Sequence, residues 1–155
     1  MSDEDLSITD RPGTPDGLDG AGAGAEERDS VRAEISRQMV RLYKEQFGRG
    51  PTKVRTDFAG PDVVVTTLEN SFTPAERRLV EMGEDQRMRD TRLYFQHATE
   101  TMFVETVEEI LGRKVRAFLS GLDASADVSA EVFYLERRDE PGATSPRAVD
   151  DARAG

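Results

Sequence analysis

The chain has 155 residues, 36% of them hydrophobic, no cysteine and a formal net charge of -10. That length suits about one domain, and so low an apolar content leaves part of the chain outside any core. A disulfide framework is excluded, as is a membrane-spanning helix: the longest apolar run, around Val63 to Val65, falls far short of the roughly 20 residues needed, and the acidic start is unlike a signal peptide. The charge is uneven, with residues 1–30 carrying a net -7, residues 31–135 a net -2 and residues 136–155 a net -1. A nearly neutral middle behind an acidic leader neutralises few phosphates, so no nucleic-acid partner is expected. Absent thiols fit a cytoplasmic location.

Residues 1–28 form an acidic leader rich in Asp, Gly, Pro and Ser, with only Leu6, Ile8 and Leu18 as sizeable apolar residues, and are expected to be disordered. The ordered domain is expected over residues 29–137. Asp29 or Ser30 can cap a first helix that presents Val31, Ile35, Met39, Leu42 and Phe47 on one stripe. Gly48 supplies a left-handed stop, and Pro51 sends the chain onward in extended form. Thr52–Phe58 alternates Val54, Thr56 and Phe58 with charged residues, the period of a half-buried strand. After the turn at Ala59–Asp62 comes Val63–Leu68, apolar on both faces at its start, as a central strand or one with a second covered face would be.

Thr73, Pro74 and Glu76 spell a helix start: a capping hydroxyl, a proline where no N–H is needed, and a glutamate that reaches back to the cap. Gly83 breaks that helix. A longer one is expected over Asp85–Leu111, with Met88, Thr91, Phe95, Ala98, Met102, Val107, Ile110 and Leu111 as candidate buried positions. Strands at Lys114–Ser120 and Val128–Glu136 complete the domain, and residues 138–155 return to the composition of the leader. Each helix–strand–strand unit passes through a Gly-Arg step, Gly48-Arg49 and Gly112-Arg113, with Val54, Thr56 and Phe58 matched by Val115, Ala117 and Leu119, and Asp62 by Asp127. The expected fold is therefore α+β: a duplicated helix-strand-strand unit giving one four-stranded antiparallel sheet with helices packed on one face.

Chemistry is less legible. His97, the only histidine, lies in the long helix with no converging carboxylates and reads as structural or exposed. Arg77, Arg78, Arg87, Arg89 and Arg92 could hold a carboxylate, phosphate or bicarbonate, against intrahelical pairing with the interleaved acids. Arg49 and Arg113 each follow a helix C-terminus, where the dipole favours a cation and anion capture is secondary. Asp123, Asp127 and Glu131 crowd the last hairpin without the spacing of a calcium loop, so a turn is expected and no metal. No phosphate-cradling loop or nucleophile with a base is present, so neither a cofactor nor enzymatic activity is expected.

Gly48-Arg49-Gly50-Pro51, Phe72-Thr73-Pro74-Ala75-Glu76 and Gly112 to Ser120 followed by Glu131 to Leu135 together resemble the MpsC family, the YbcI-like group labelled after a sodium-translocating membrane potential-generating system. The likeness spans about Val31 to Glu136. It implies an accessory or regulatory component beside a membrane pair that takes up inorganic carbon or cations, peripheral to the membrane through a protein partner and not inserted in it. It implies no catalytic residues. With helices on one face of the sheet, Val63, Val65, Val132 and Tyr134 are expected on the other, as a homodimer interface. The competing reading is a stand-alone anion or small-ligand sensor built on Arg49, Arg113, Arg87, Arg89 and Arg92; an RNA-binding sheet would need Tyr134, Phe58 and Phe118 exposed beside basic residues.

Overall fold

A computed structural model describes residues 19–138, in the order α1 (Asp19–Phe47), β1 (Lys53–Phe58), β2 (Val63–Glu69), α2 (Pro74–Glu81), α3 (Asp85–Leu111), β3 (Val115–Asp123) and β4 (Val128–Leu135). The fold is α+β. The expectations for the first 18 residues of the leader and for the tail beyond 138 lie outside the described residues.

The four strands form one antiparallel sheet in the order β1-β2-β4-β3. That order reads the same when β1 exchanges with β3 and β2 with β4, so the two hairpins are related by an approximate two-fold through the central β2–β4 ladder. The Gly-Arg repeat seen in the chain thus becomes a symmetry of the sheet. β1 carries α1 and β3 carries α3, and the two long helices also pack on each other.

The core lies between helices and sheet. From α1 it takes Ile35, Met39, Leu42 and Tyr43, from α3 Phe103 and Val107, and from the central strands Val64, Leu68, Phe133 and Leu135. Phe118 joins it from β3, its ring 6.1 Å from Phe103 and 5.0 Å from Phe133. Each such side chain contributes roughly 1.5–3 kcal/mol by leaving water. A smaller cluster of Phe72, Met88 and Ala124 sits under α2.

Local signals are realised where they were strongest. Thr73 caps α2 with a complete capping box: Glu76 N–H donates to Thr73 Oγ1 at 3.3 Å and Thr73 N–H to Glu76 Oε2 at 2.8 Å. Gly48 (φ 77°) and Gly112 (φ 62°) end the two long helices in the left-handed conformation that only glycine adopts cheaply.

Three expectations are corrected. The first helix runs back to Asp19, ten residues ahead of the Asp29 or Ser30 cap; Ala23, Ala25, Glu26 and Glu27 are strong helix formers and extend it ahead of the core, through residues 22–30, which are mostly exposed. The buried stripe of α3 is displaced: Met88 and Val107 are buried as expected, but Arg92, Gln96 and Phe103 are the inward residues, while Phe95 and Met102 stay 45% and 41% exposed. In β3 a register irregularity between Val115 and Ala117 turns Phe118, Ser120 and Leu122 toward the helices, so Ala117 and Leu119 do not match the inward Thr56 and Phe58 of β1.

Candidate functional site

The inward face of the sheet should be apolar, and along β4 the alternation does place Phe133 and Leu135 in the core. The same parity carries Glu131 and Ser129 inward. Glu131 is fully buried. Tyr43 of α1 donates its hydroxyl to Glu131 Oε1 at 2.5 Å, and Gln96 of α3 donates its amide to the same oxygen at 3.1 Å and to Tyr43 Oη at 3.3 Å. Both bonds land on Oε1, and Ser120 is the directly paired residue of β3. Burial pushes the Glu131 carboxyl up to about 7, against the Tyr43 bond, the nearby Ser120 hydroxyl and the Arg92 charge. The Tyr43 hydroxyl is raised well above its usual value, first by burial and then by the Glu131 charge.

A second polar group adjoins the first through Tyr43. Arg92 is wholly buried, and its guanidinium lies 4.1 Å from the Phe47 ring centre, 5.0 Å from that of Phe72 and 5.8 Å from that of Tyr43. Its Nε and Nη2 donate to the two oxygens of Glu76 at 2.8 and 2.9 Å, while Nη1 and Nη2 donate to Ser71 Oγ and O at 3.1 and 2.9 Å. Asp127, at the β3–β4 turn, holds this loop in place by accepting from the N–H groups of Ser71 and Phe72 at 2.9 and 3.1 Å. Burial works to raise the Glu76 carboxyl, yet the Arg92 and Thr73 hydrogen bonds outweigh it and leave it below the usual range. On the other side of Glu131, hydroxyls run from Ser36 to Thr56 at 2.8 Å and on to Thr66 at 2.9 Å, with Thr66 the β2 register neighbour of Glu131.

The five arginines expected to bind an anion are dispersed. Arg92 is engaged as above. Arg89 donates to Leu122 O at 3.1 Å, and exposed Arg87 lies 3.8 Å from Glu84 of its own helix region. Arg49 donates to Phe72 O and Asn70 Oδ1 at 2.7 and 3.3 Å, whereas Arg113 donates to Pro61 O, Asp62 Oδ1 and Glu136 O at 2.8, 2.6 and 2.7 Å. Those two anchors sit at opposite ends of β2, about 20 Å apart at the rise of an extended chain. Each Gly-Arg step therefore ties a helix end to a neighbouring loop or turn. His97 is exposed, 3.7 Å from Glu100. Asp123 accepts from Ser125 Oγ and Ala126 N–H, closing a turn, and no acidic or histidine cluster among the described residues could hold a metal.

Val63, Val65, Val132 and Tyr134 all lie on the sheet face that no helix covers. Val65 pairs with Val132 and Val63 with Tyr134 in register, and Leu119, 56% exposed, extends the row onto β3. Arg116 lies over the Tyr134 ring at 5.3 Å.

Sequence reasoning missed Tyr43, Gln96 and the inward role of Glu131. Signals for them were present: Tyr43 follows Leu42 on the apolar stripe, Gln96 is four residues from Arg92 and eight from Met88, and Glu131 shares parity with Phe133 and Leu135. They were discounted because a polar residue is by default assigned to water.

No helix among the described residues is long and apolar enough to cross a membrane. Residues 27–137 match the family model described as Na+-translocating membrane potential-generating system (MpsC), and the chain belongs to that family. It is similar to two uncharacterised proteins of Bacillus subtilis (strain 168). YbcI is 28% identical over 109 residues, covering 68% of this chain and 86% of YbcI; YrhF is 25% identical over 114 residues, covering 68% and 87%. No solved structure matches the chain.

Proposed function

We propose that the protein acts by contact, as a cytoplasmic, non-enzymatic homodimer that serves as an accessory component of a membrane ion-transport or potential-generating system. The observation that carries this is the uncovered sheet face, whose centre is the apolar row Val65, Val132 and Leu119 beside Val63 and Tyr134. The family description supplies the transport context.

A second copy fits this face in charge as well as polarity. Lys53, Glu69, Val128 and Asp123 lie in one row across the sheet, with Lys53 on one edge strand and Asp123 on the other. Two sheets related by a two-fold parallel to the strands place β1 over β3. Lys53 then meets Asp123 of the second copy, and Val65 meets Val132 at the centre. Such a packing is isologous and closes at two subunits.

Sedimentation across a wide concentration range tests the reading. The full chain is expected to dimerise, and Val132→Glu, which sets a like charge near itself across the two-fold, is expected to be monomeric with an unchanged circular dichroism spectrum. A strict monomer at every concentration overturns it. Recovery of a membrane transporter by affinity capture from the native host tests the accessory role, which fails if the protein recovers only itself.

A further inference from the structure

Asn70 follows β2 in the left-handed conformation, at φ 57°, and its side chain is pinned there: Nδ2 donates to Thr52 Oγ1 at 2.9 Å, which aims Oδ1 the other way. Two arginines converge on that one oxygen. Arg49 Nη2, just past the end of α1, donates to it at 3.3 Å, and Arg77 Nη2, on α2, donates to it at 2.8 Å, so the two nitrogens stand no more than about 6 Å apart. Arg49 is also fastened to Phe72 O at 2.7 Å. Arg77 is exposed, and its side chain makes no other hydrogen bond among the described residues.

A counter-ion is the ordinary way to hold two like charges so close. The shared acceptor is instead a neutral amide, and among the described residues neither guanidinium has a carboxylate oxygen within 4.0 Å. The neighbouring acids are taken up elsewhere. Glu69 pairs with Lys53, Glu81 with Arg78 and Glu76 with Arg92, while Asp127 accepts from the N–H groups of Ser71 and Phe72. In a chain of 31 acidic and 21 basic residues, adjoining arginines without an acid are an exception, and the loop does not need both of them, since Asn70 is already tied to Thr52 and, through its N–H, to Asp127 O.

The missing complement can be read from the donors. Each guanidinium carries five N–H groups, of which the described residues take two from Arg49 and one from Arg77. What is left over is two positive charges and N–H donors on two separate forks. A carboxylate brings one charge and two coplanar oxygens, which suit a single fork. A phosphomonoester brings nearly two charges at neutral pH and three terminal oxygens that point apart, enough for both.

We propose that Arg49 and Arg77 bind the phosphate group of a small soluble phosphomonoester, at the surface where the end of α1, the β2–α2 loop and α2 meet, with Asn70 setting the spacing of the two forks. None of the sheet-face residues takes part, and a monomeric variant should keep the site.

The test is an NMR titration of the full chain with glycerol 3-phosphate and with acetate, at constant ionic strength and a pH of about 8, where the monoester is a dianion. Glycerol 3-phosphate is expected to give saturable shifts at the Asn70 side-chain amide and at the Nε–H groups of Arg49 and Arg77, with acetate at least about tenfold weaker. Arg77→Gln is expected to lose about tenfold in affinity, and Arg77→Lys, which keeps the charge without the fork, to fall between. Arg78→Gln removes the same charge from the same helix, but that arginine is paired with Glu81, so affinity should stay within about twofold. If Arg77→Gln does not fold, the ranking of the two probes decides. No saturation up to about 50 mM, a range that detects even millimolar binding, overturns the proposal, as do equal affinity for acetate and an equal loss in Arg78→Gln; the two arginines then only fasten the loop.

Discussion

Arg92 and Glu76 face each other as a two-pronged pair, with Nε and Nη2 on the two carboxylate oxygens at 2.8 and 2.9 Å, although they stand on different helices and the arginine is entirely shielded from water. Phe47 and Phe72 lie over the guanidinium, so the pair is both desolvated and stacked. Glu76 also closes the capping box of α2. One carboxylate therefore fixes the start of α2 and its docking on α3.

Breaking this pair from one side should be severe. Arg92→Met leaves the largely buried Glu76 without its cation, with only the Thr73 N–H still bonded to it, and is expected to lower the unfolding free energy by about 3 kcal/mol. Adding Glu76→Gln to that variant should recover part of the loss, because the stranded charge is gone. Urea denaturation of the two variants checks the ordering.

The cap itself carries less. Thr73→Ala removes the acceptor for Glu76 N–H but leaves the Arg92 bonds intact, so a loss of about 1 kcal/mol is expected. A loss as large as that of Arg92→Met would mean that the cap, and not the ion pair, holds α2 in place.

Glu131 makes stability fall with rising pH. Its carboxyl is raised from 4.5 to about 7 in the fold, so between those values the folded chain keeps a proton that the unfolded chain has released. The stabilisation is complete below about pH 4.5 and is lost as the pH climbs through 7, by about 3 kcal/mol in all. Glu76, shifted downward, works in the opposite sense: its contribution is present above its unfolded value and is lost as the pH falls. Glu131→Gln should abolish the first slope and keep the second. Urea midpoints measured from acid to mildly alkaline pH will separate them, and an unchanged neutral slope in Glu131→Gln would refute the assignment.

Tyr43→Phe removes the shortest bond to Glu131 and leaves the amide of Gln96 as the donor. The Glu131 carboxyl should then titrate higher still, since that bond opposes the effect of burial. Stability should drop by about 1–3 kcal/mol at a pH where the carboxylate is ionised. A carbon-detected NMR titration of the Glu131 carboxyl gives the first quantity and denaturation the second.

The proposed two-fold has its own charge test. Lys53→Glu places a like charge against Asp123 of the second copy at two equivalent positions, and the dimer should weaken by about three- to tenfold at low salt. Combining it with Asp123→Lys should restore association. Sedimentation equilibrium reads both, and failure of the double variant to recover would reject this orientation of the two sheets.

Where the chain carried a complete local signal, the fold was legible in it. Thr73-Pro74-Ala75-Glu76 spells a capped start within four residues, and Gly48 and Gly112 stand at stops that need a positive φ. Alternation in Thr52–Phe58 marked a half-buried strand and the doubly apolar start of the next one suited a central strand, and β2 does lie inside the sheet. The site was much less legible. Arg92 and Gln96 look like members of a charged helix surface, and Glu131 like part of a hairpin turn, because no sequence window contains their partners. Glu76 is 16 residues from Arg92, and Tyr43 is 88 from Glu131.

The sequence by itself determined the elements, their order and the internal duplication, since caps, stops and periodicity act within a few residues and each is satisfied by its own neighbours. Only the tertiary structure decided which polar side chains went inside. A buried arginine or glutamate is tolerable only if groups distant in the chain arrive to bond it, and packing α1 and α3 on the sheet is what brings Tyr43, Gln96 and Glu131 to one point.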